Sequence, residues 1–239
     1  MGKRLHQQRR GRGTNAFRKP PNTFKADVAF ASRKVEGKIT GEVMELVDDP
    51  GHSAPLMRIV YEDNSVGMFL APEGIRVGSR IEEGSGAEVA LGSILPLEKI
   101  PDGTPVYNVE VLPGDGGKLA RRAGSYATVV SHAQDAVSVL LPSKHVVDIK
   151  PACRAQIGAV AGGGADSQPI LRAGKSHYMH HAINAMWPKN RGVKSNPVDH
   201  PFGGKQHHKG TSSMTSRNAP PGAKVGHIAA SRVGRKKRS

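Results

Sequence analysis

The sequence predicts a mainly β chain: two small β-barrels in succession, with an extended basic arm at each end. Two series of short, alternating or β-branched segments, separated by turn residues, predict the barrels. The arms follow from end segments rich in Gly, Pro, Asn, Ser and His, which show neither a 3.6-residue nor a 2-residue apolar period. At 239 residues and 37% hydrophobic composition the chain is long enough to bury a core.

The first strand series occupies the predicted first barrel, residues 35–112. Breakers such as Asp49-Pro50-Gly51 and Glu62-Asp63-Asn64 separate its segments. The predicted strands are residues 39–47, 56–61, 66–70, 75–81 and 106–112.

The second strand series follows the glycine-rich loop 113–117 and occupies the second barrel, residues 113–187. Its predicted strands are residues 126–131, 137–141, 145–149 and 156–160. The best helix candidate is a short segment, residues 175–186.

The positive charge of the chain lies in its two ends. Residues 1–34 hold 10 Lys and Arg and one acid, and residues 188–239 hold 12 and one, out of 35 basic and 20 acidic residues in all. Residues 35–112, in contrast, hold 5 basic and 14 acidic residues. Basic arms on an acidic body indicate a polyanionic partner, which the arms neutralise by displacing its counterions.

Several classes of protein are excluded by what the sequence lacks. No stretch approaches the roughly 20 apolar residues that span a bilayer, and no apolar segment follows the first arginines, so we expect neither membrane insertion nor export. Because Cys153 is the single cysteine, an intramolecular disulfide is impossible and a reducing, cytoplasmic compartment is indicated.

Two glycine-rich segments resemble nucleotide-binding motifs, but neither matches the sequence pattern of its motif. In residues 113–118 the first glycine is too close to Lys118, and Leu119 stands where a phosphate-binding loop has Ser or Thr. Residues 161–164 lack the dinucleotide spacing. Both segments can instead expose their backbone to an RNA strand. The alternative interpretation of residues 161–164 is a flexible linker.

The histidines allow two interpretations. His177, His180 and His181, with His207 and His208, could ligate zinc, but no matching Cys or carboxylate set accompanies them, which favours RNA contacts. Asp199 and His200 are adjacent, and adjacent side chains of an extended chain point apart, so an acid–base relay is disfavoured. Prolines and Gly203-Gly204 around them predict a rigid finger inserted into folded RNA.

The hexapeptide Asn196-Pro197-Val198-Asp199-His200-Pro201 resembles the hallmark of the universal large-subunit ribosomal protein L2 family. The similarity extends along the whole chain, through residues 1–4, 8–13, 52–56, 70–74, 113–120, 153–155, 187–188 and 217–222. The short start and Phe202 resemble the archaeal and eukaryotic members, and the chain length favours an archaeon.

The resemblance implies an OB-fold barrel followed by an SH3-like barrel, and a scaffold that is not an enzyme. It implies binding to 23S-type rRNA near the peptidyl-transferase region, other large-subunit proteins as neighbours, and the small subunit reached through an inter-subunit bridge. In that family the histidine matching His200 has been proposed to assist peptidyl transfer. Here no triad partner accompanies it, so we assign His200 to placement of RNA and expect no catalytic residue. No cofactor is expected, with magnesium only as an ion that bridges rRNA.

The predicted RNA-binding residues combine cations with hydrogen-bonding side chains. They are Arg4, Arg9, Arg10, Arg12, Arg18, Lys19, Lys118, Arg121, Arg122, Arg154, His177, His180, Lys189, Arg191, Asn196, His200, Lys205, His207, Arg217, Arg232, Arg235 and Lys236. A free RNA chaperone or translational regulator would show the same charge pattern and is the alternative function.

We predict that residues 35–187 without the arms bind large-subunit rRNA weakly. This fragment has a net charge of −5, and each lost phosphate contact reduces the slope of log affinity against log salt by about 0.7 to 0.9. A salt titration of the full chain and the fragment measures both slopes. Equal slopes and affinities would show that the arms are dispensable.

Overall fold

The computed structural model describes residues 2–18, 20, 24–30, 37–204, 214–220 and 222–232. The chain divides into two compact units. One is Pro21–Lys175, and the other combines Met1–Pro20 with Ser176–Ser239.

The described residues of the unit Pro21–Lys175 contain ten strands in one hydrogen-bonded sheet, so the predicted mainly β fold is confirmed. The order across the sheet is β3-β2-β1-β4-β5-β10-β6-β7-β8-β9. The strands are β1 (Ile39–Val47), β2 (Leu56–Tyr61), β3 (Val66–Leu70), β4 (Arg80–Glu83), β5 (Ile94–Pro96), β6 (Pro105–Tyr107), β7 (Ala127–His132), β8 (Val137–Leu140), β9 (Val146–Ile149) and β10 (Arg154–Ile157).

Most predicted strands are confirmed, three of them with the observed bounds. The strand predicted at 75–81 is wrong over most of its length, because Gly74 and Gly78 have positive φ and residues 73–74 and 77–78 form turns, so that β4 begins only at Arg80. The strand predicted at 106–112 ends at Tyr107, where Asn108 adopts φ 50°. β5 was not predicted, since three residues ending in proline give too short a pattern.

The hydrogen bonding joins the two strand series. β5 pairs in parallel with β4 through Glu83 and Ile94, and β10 pairs antiparallel with both β5 and β6. β5 and β6 therefore associate with strands of the second series, although they precede the glycine-rich loop. The division of the chain at residues 34, 112 and 187 stays a prediction.

Alternating burial along the strands builds three apolar clusters. One centres on Val43, Ile59 and Phe69, and another on Val129, Val139 and Ala155. The third lies around Leu70, Val160 and the fully buried Tyr107. The Tyr107 hydroxyl donates to the carbonyl of Leu70 over 3.1 Å, and burial raises the pKa of this phenol well above its usual value.

A buried ion network crosses the sheet where the two series meet. The Arg154 guanidinium donates to Glu110 over 2.9 Å and lies 3.4 Å from a carboxylate oxygen of Glu83. The second Glu110 oxygen accepts the Arg154 backbone N–H over 2.9 Å. The Phe30 ring lies 5.1 Å from the guanidinium. Since the Glu110 and Glu83 side chains are 0% and 2% exposed, this arginine compensates two carboxylates removed from water.

We predict that Arg154→Met destabilises the chain by about 3–5 kcal/mol, because it leaves buried carboxylates without their cation. Arg58→Met is the matched control. Arg58 pairs with Glu45 at 3.4 Å on the surface, where both side chains are about half exposed, and its loss should cost about 0–1 kcal/mol. Urea unfolding of both variants measures the difference. Equal losses would show that the network contributes no more than a surface pair.

Candidate nucleic-acid interface

The predicted finger, residues 187–204 of the second unit, is a compact loop held by its own backbone. The Asn196 carbonyl accepts the N–H groups of Asp199 and His200 over 2.9 and 3.1 Å, and the N–H of Gly203 donates to the His200 carbonyl over 2.9 Å. A Cβ on Gly203 would overlap the backbone of Ser195 and Asn196. The loop can therefore close this tightly only with glycine at position 203.

The His200 ring is fixed by its neighbours. The backbone N–H of Phe202 donates to His200 Nδ1 over 3.1 Å, and the two rings lie 4.9 Å apart. A Cβ on Gly192 would overlap the imidazole, so the ring packs directly on this glycine. Because Nδ1 accepts a hydrogen bond, the neutral ring carries its proton on Nε2, which is then a donor.

Asp199 makes a different contact from the relay considered in the sequence. Its carboxylate lies 3.7 Å from the ammonium of Lys3, whose backbone N–H donates to the carbonyl of Val198 over 2.7 Å. The start of the chain is thereby attached to the finger. The Asp199–Lys3 pair indicates a positioning role for this acid.

A second polar cluster surrounds Trp187 at the base of the finger. The His180 ring stacks on the indole at 5.8 Å and the His177 ring meets it edge-on at 6.1 Å. His180 Nδ1 donates to the carbonyl of Ser176 over 2.6 Å. Both histidines belong to α2 (Ala173–Ala182), which has no buried residue and ends four residues before the predicted helix does. The bond from Trp187 to Pro188 is cis.

Asn184 connects the N-terminal segment to the region after α2. Its side-chain amide donates to the carbonyls of Asn15 and Arg18 over 2.8 and 2.7 Å. The N-terminal segment contains α1 (His6–Arg10) and a 3₁₀ turn, Asn15–Phe17. Further along, a short parallel pair joins β11 (Met214–Thr215) to β12 (His227–Ile228).

Within this unit a cleft of about 730 Å³ opens beside the finger. Side chains from several segments line it, notably Trp187, Asn190, Lys194, Asn196, His200 and Phe202. The lining combines aromatic rings, amides and a cation, which is a suitable surface for planar, polar and anionic groups.

The predicted cations of this unit are exposed wherever the structure describes them. These are Arg4, Arg9, Arg10, Arg12, Arg18, Lys189, Arg191, Arg217 and Arg232. Five other predicted binding residues lie outside the described residues, and their role stays a prediction. They are Lys19, Lys205, His207, Arg235 and Lys236. An exposed guanidinium or ammonium can reach a phosphate without breaking a protein contact.

Two predicted cations of the other unit are engaged inside the protein. Arg154 belongs to the buried network, and Arg121 donates to the carbonyls of Gly117 and Val28 over 2.8 and 2.9 Å. Burial lowers the pKa of Arg121 despite the opposing charge of Asp27. These contacts give both arginines a structural role, and their RNA contact stays a prediction. Arg122 is exposed.

The glycine-rich loop 113–118 folds around carboxylates. The N–H of Gly116 donates to Glu110 over 3.2 Å and that of Gly117 to Asp115 over 3.3 Å. Burial opposes ionisation of Asp115, but hydrogen bonds from backbone N–H groups and from Lys118 leave its pKa below the usual value. Because these N–H groups already have acceptors, the loop does not present them to a phosphate.

Sequence reasoning did not include four lining residues among the binding residues. Trp187, Asn190 and Phe202 were noticed only as parts of motifs, and Lys194 only as charge. The adjacent prolines and glycines could have indicated these residues, because they predict a rigid finger, and the large side chains of such a finger contact its binding partner.

Two family models match the chain. "Ribosomal Proteins L2, RNA binding N-terminal domain" matches residues 3–83, and "Ribosomal Proteins L2, C-terminal domain" matches residues 90–224. The chain belongs to the ribosomal protein L2 family. Its relatives include large ribosomal subunit protein uL2 of Methanococcus vannielii, 50% identical over 241 residues, and that of Methanococcus maripaludis strain C7, 49% identical over 240 residues. Each alignment covers 99% of this chain and 100% of the relative.

The first L2 model ends at residue 83 and the second begins at residue 90, four residues before β5. The RNA-binding model includes both the basic N-terminal segment and the acidic segment 39–83, which contains β1 to β4. Among the described residues, no group of three or more His, Cys, Asp or Glu side chains is placed to hold a metal ion. The part of the L2 chain that the structure describes also has no helix long and apolar enough to cross a membrane.

We predict that Gly192→Ala weakens RNA binding by this L2 chain, because the added Cβ displaces the His200 ring and with it the cleft wall. Gly222→Ala is the matched control in the same unit, since a Cβ there meets nothing within 4 Å. Filter binding to large-subunit rRNA measures both variants. If the two bound equally well, the position of His200 would have no part in binding.

Proposed function

We propose that this chain is a structural constituent of the large ribosomal subunit and binds its 23S-type rRNA. The observation that carries the proposal is the full-length similarity to archaeal proteins named large ribosomal subunit protein uL2. The charge distribution supports it, because exposed cations concentrate in the unit that contains the finger while residues 35–112 are acidic.

The proposed mechanism is placement of RNA. Exposed arginines of the arms neutralise phosphates, and the finger, which several backbone hydrogen bonds hold together, enters folded RNA as a rigid element. We place this contact near the peptidyl-transferase region, where ordered RNA supports tRNA binding, association with the small subunit through a bridge, and peptide-bond formation. Other large-subunit proteins would be its neighbours, and magnesium would act only between RNA groups.

The chain is proposed to have no catalytic residue of its own. A general base at position 200 would need a free acceptor nitrogen, whereas His200 Nδ1 already accepts the Phe202 N–H and Nε2 carries the proton of the neutral ring. Asp199, the nearest acid in sequence, pairs with Lys3. His200 is therefore a donor held in a fixed position.

Sedimentation tests the proposed function against a free RNA chaperone or translational regulator. A constituent of the subunit should stay with the large subunit through a high-salt wash, because many phosphate contacts and an inserted finger must be released together. Release into the supernatant with other loosely bound factors would favour the alternative function.

We predict that His200→Ala reduces assembly of large subunits and leaves the rate of peptidyl transfer by the assembled particles within about 10-fold of normal. Loss of a general acid or base would reduce that rate by about 100- to 10,000-fold. His227→Ala is the control, as His227 is an exposed histidine of the same unit. Gradient profiles measure assembly and single-turnover kinetics measure the reaction. A loss of 100-fold or more in particles with normal tRNA binding would make His200 catalytic.

A further inference from the structure

The cleft beside the finger has the composition of a site for one nucleotide. Trp187, His200 and Phe202 contribute aromatic rings, and Asn190 and Asn196 contribute amides. Nucleic-acid bases stack on aromatic rings, and amides bond the donor and acceptor groups along the base edges. The volume of about 730 Å³ lies within the usual range for sites that enclose a small molecule, about 300–1,000 Å³.

The rings of the cleft are held in place by protein contacts. His200 packs on Gly192 and accepts the Phe202 N–H, so that His200 and Phe202 form one wall. Trp187 is supported by the stacked His180 ring, itself fixed by the bond from Nδ1 to the Ser176 carbonyl. A surface fixed in this way loses little side-chain entropy when a base stacks on it.

The charges around the cleft favour an anionic occupant. Lys194 lines it, and the exposed Lys189 and Arg191 flank the lining residue Asn190 in sequence. The acid that lines it, Asp199, is paired with Lys3. A peptide from a neighbouring protein would find the same rings and amides, but these cations favour a phosphate-bearing ligand over the basic segments typical of ribosomal proteins.

We propose that the cleft receives a single unpaired nucleotide of the rRNA, extruded from its stack. Its base stacks against the aromatic lining, the amides of Asn190 and Asn196 and the Nε2–H of His200 bond its edge, and Lys194 contacts its phosphate. This inference rests on the proposed function and assigns to the L2 finger the capture of one base in addition to phosphate contact. Extrusion costs about a few kcal/mol in general and least for a base that is already unpaired, and stacking offsets that cost.

Ultraviolet cross-linking of assembled large subunits tests the site directly. Mass spectrometry of the cross-linked peptides should find the same nucleotide attached to the peptide with Trp187 and to the peptide with Phe202, although 15 positions separate these residues in the sequence. Chemical probing should show this nucleotide unpaired. Attachment of the two peptides to different or base-paired nucleotides, or to another protein, would overturn the proposal.

Affinity measurements with full-length variants provide the second test. Phe202→Leu and Asn196→Ala should each weaken binding to large-subunit rRNA, the former by roughly 5- to 150-fold, as expected for one stacked base. Tyr126→Leu is the matched control, because Tyr126 is a 52% exposed aromatic residue of the other unit. In RNA lacking only the base of the cross-linked nucleotide, Phe202→Leu should have no further effect.

The outcomes separate this inference from the function on which it rests. If the wild-type chain binds large-subunit rRNA strongly and the Phe202→Leu and Tyr126→Leu variants have equal affinities, the nucleotide site is overturned. The rRNA-binding function is then left intact. A wild-type chain that fails to bind large-subunit rRNA overturns the function itself. A Phe202→Leu effect that persists in full on RNA without the base also overturns the nucleotide site.

Discussion

The buried contact of Arg154 with Glu110 and Glu83 determines how the β unit is assembled. Arg154 begins β10, Glu83 ends β4, and Glu110 lies after β6, so one guanidinium connects three segments that are distant in sequence. Each carboxylate would be costly to bury without a cation. The observed arrangement, in which β10 lies between β5 and β6, brings all three groups together, so the network stabilises this topology.

The same contact changes how the charge of the chain should be counted. Arg154 and Arg121 contribute to the total of +15, yet their guanidinium groups are bonded inside the protein. The β unit is therefore even less attractive to phosphate than its composition indicates. The other unit is the more favourable surface for a polyanion, because Asp199 is its one acidic residue, whereas the acidic segment 39–83 repels phosphate.

The sequence predicted local features well and contacts between distant residues poorly. β1, β2 and β3 have the predicted bounds, because their alternation is bounded by strong turn residues on both sides. Residues 75–79 fail because Ile75 and Val77 alternate like a strand while Gly74 and Gly78 turn the chain. The burial of Arg154 could not be predicted, since its acidic partners lie 44 and 71 positions away. The finger was predictable, because its bonds join residues within a few positions.

The two units are stabilised by different means, and this bears on how the finger works. The β unit has three apolar clusters, whereas Val225 is the one buried hydrophobic residue among the described residues of the other unit. That unit is held by backbone hydrogen bonds, stacked rings and the Lys3–Asp199 pair, each of which contributes little net stability in water. The finger is therefore ordered by many weak contacts and not by a buried core. A bound RNA that excludes water from these contacts would strengthen them without having to fold the finger first.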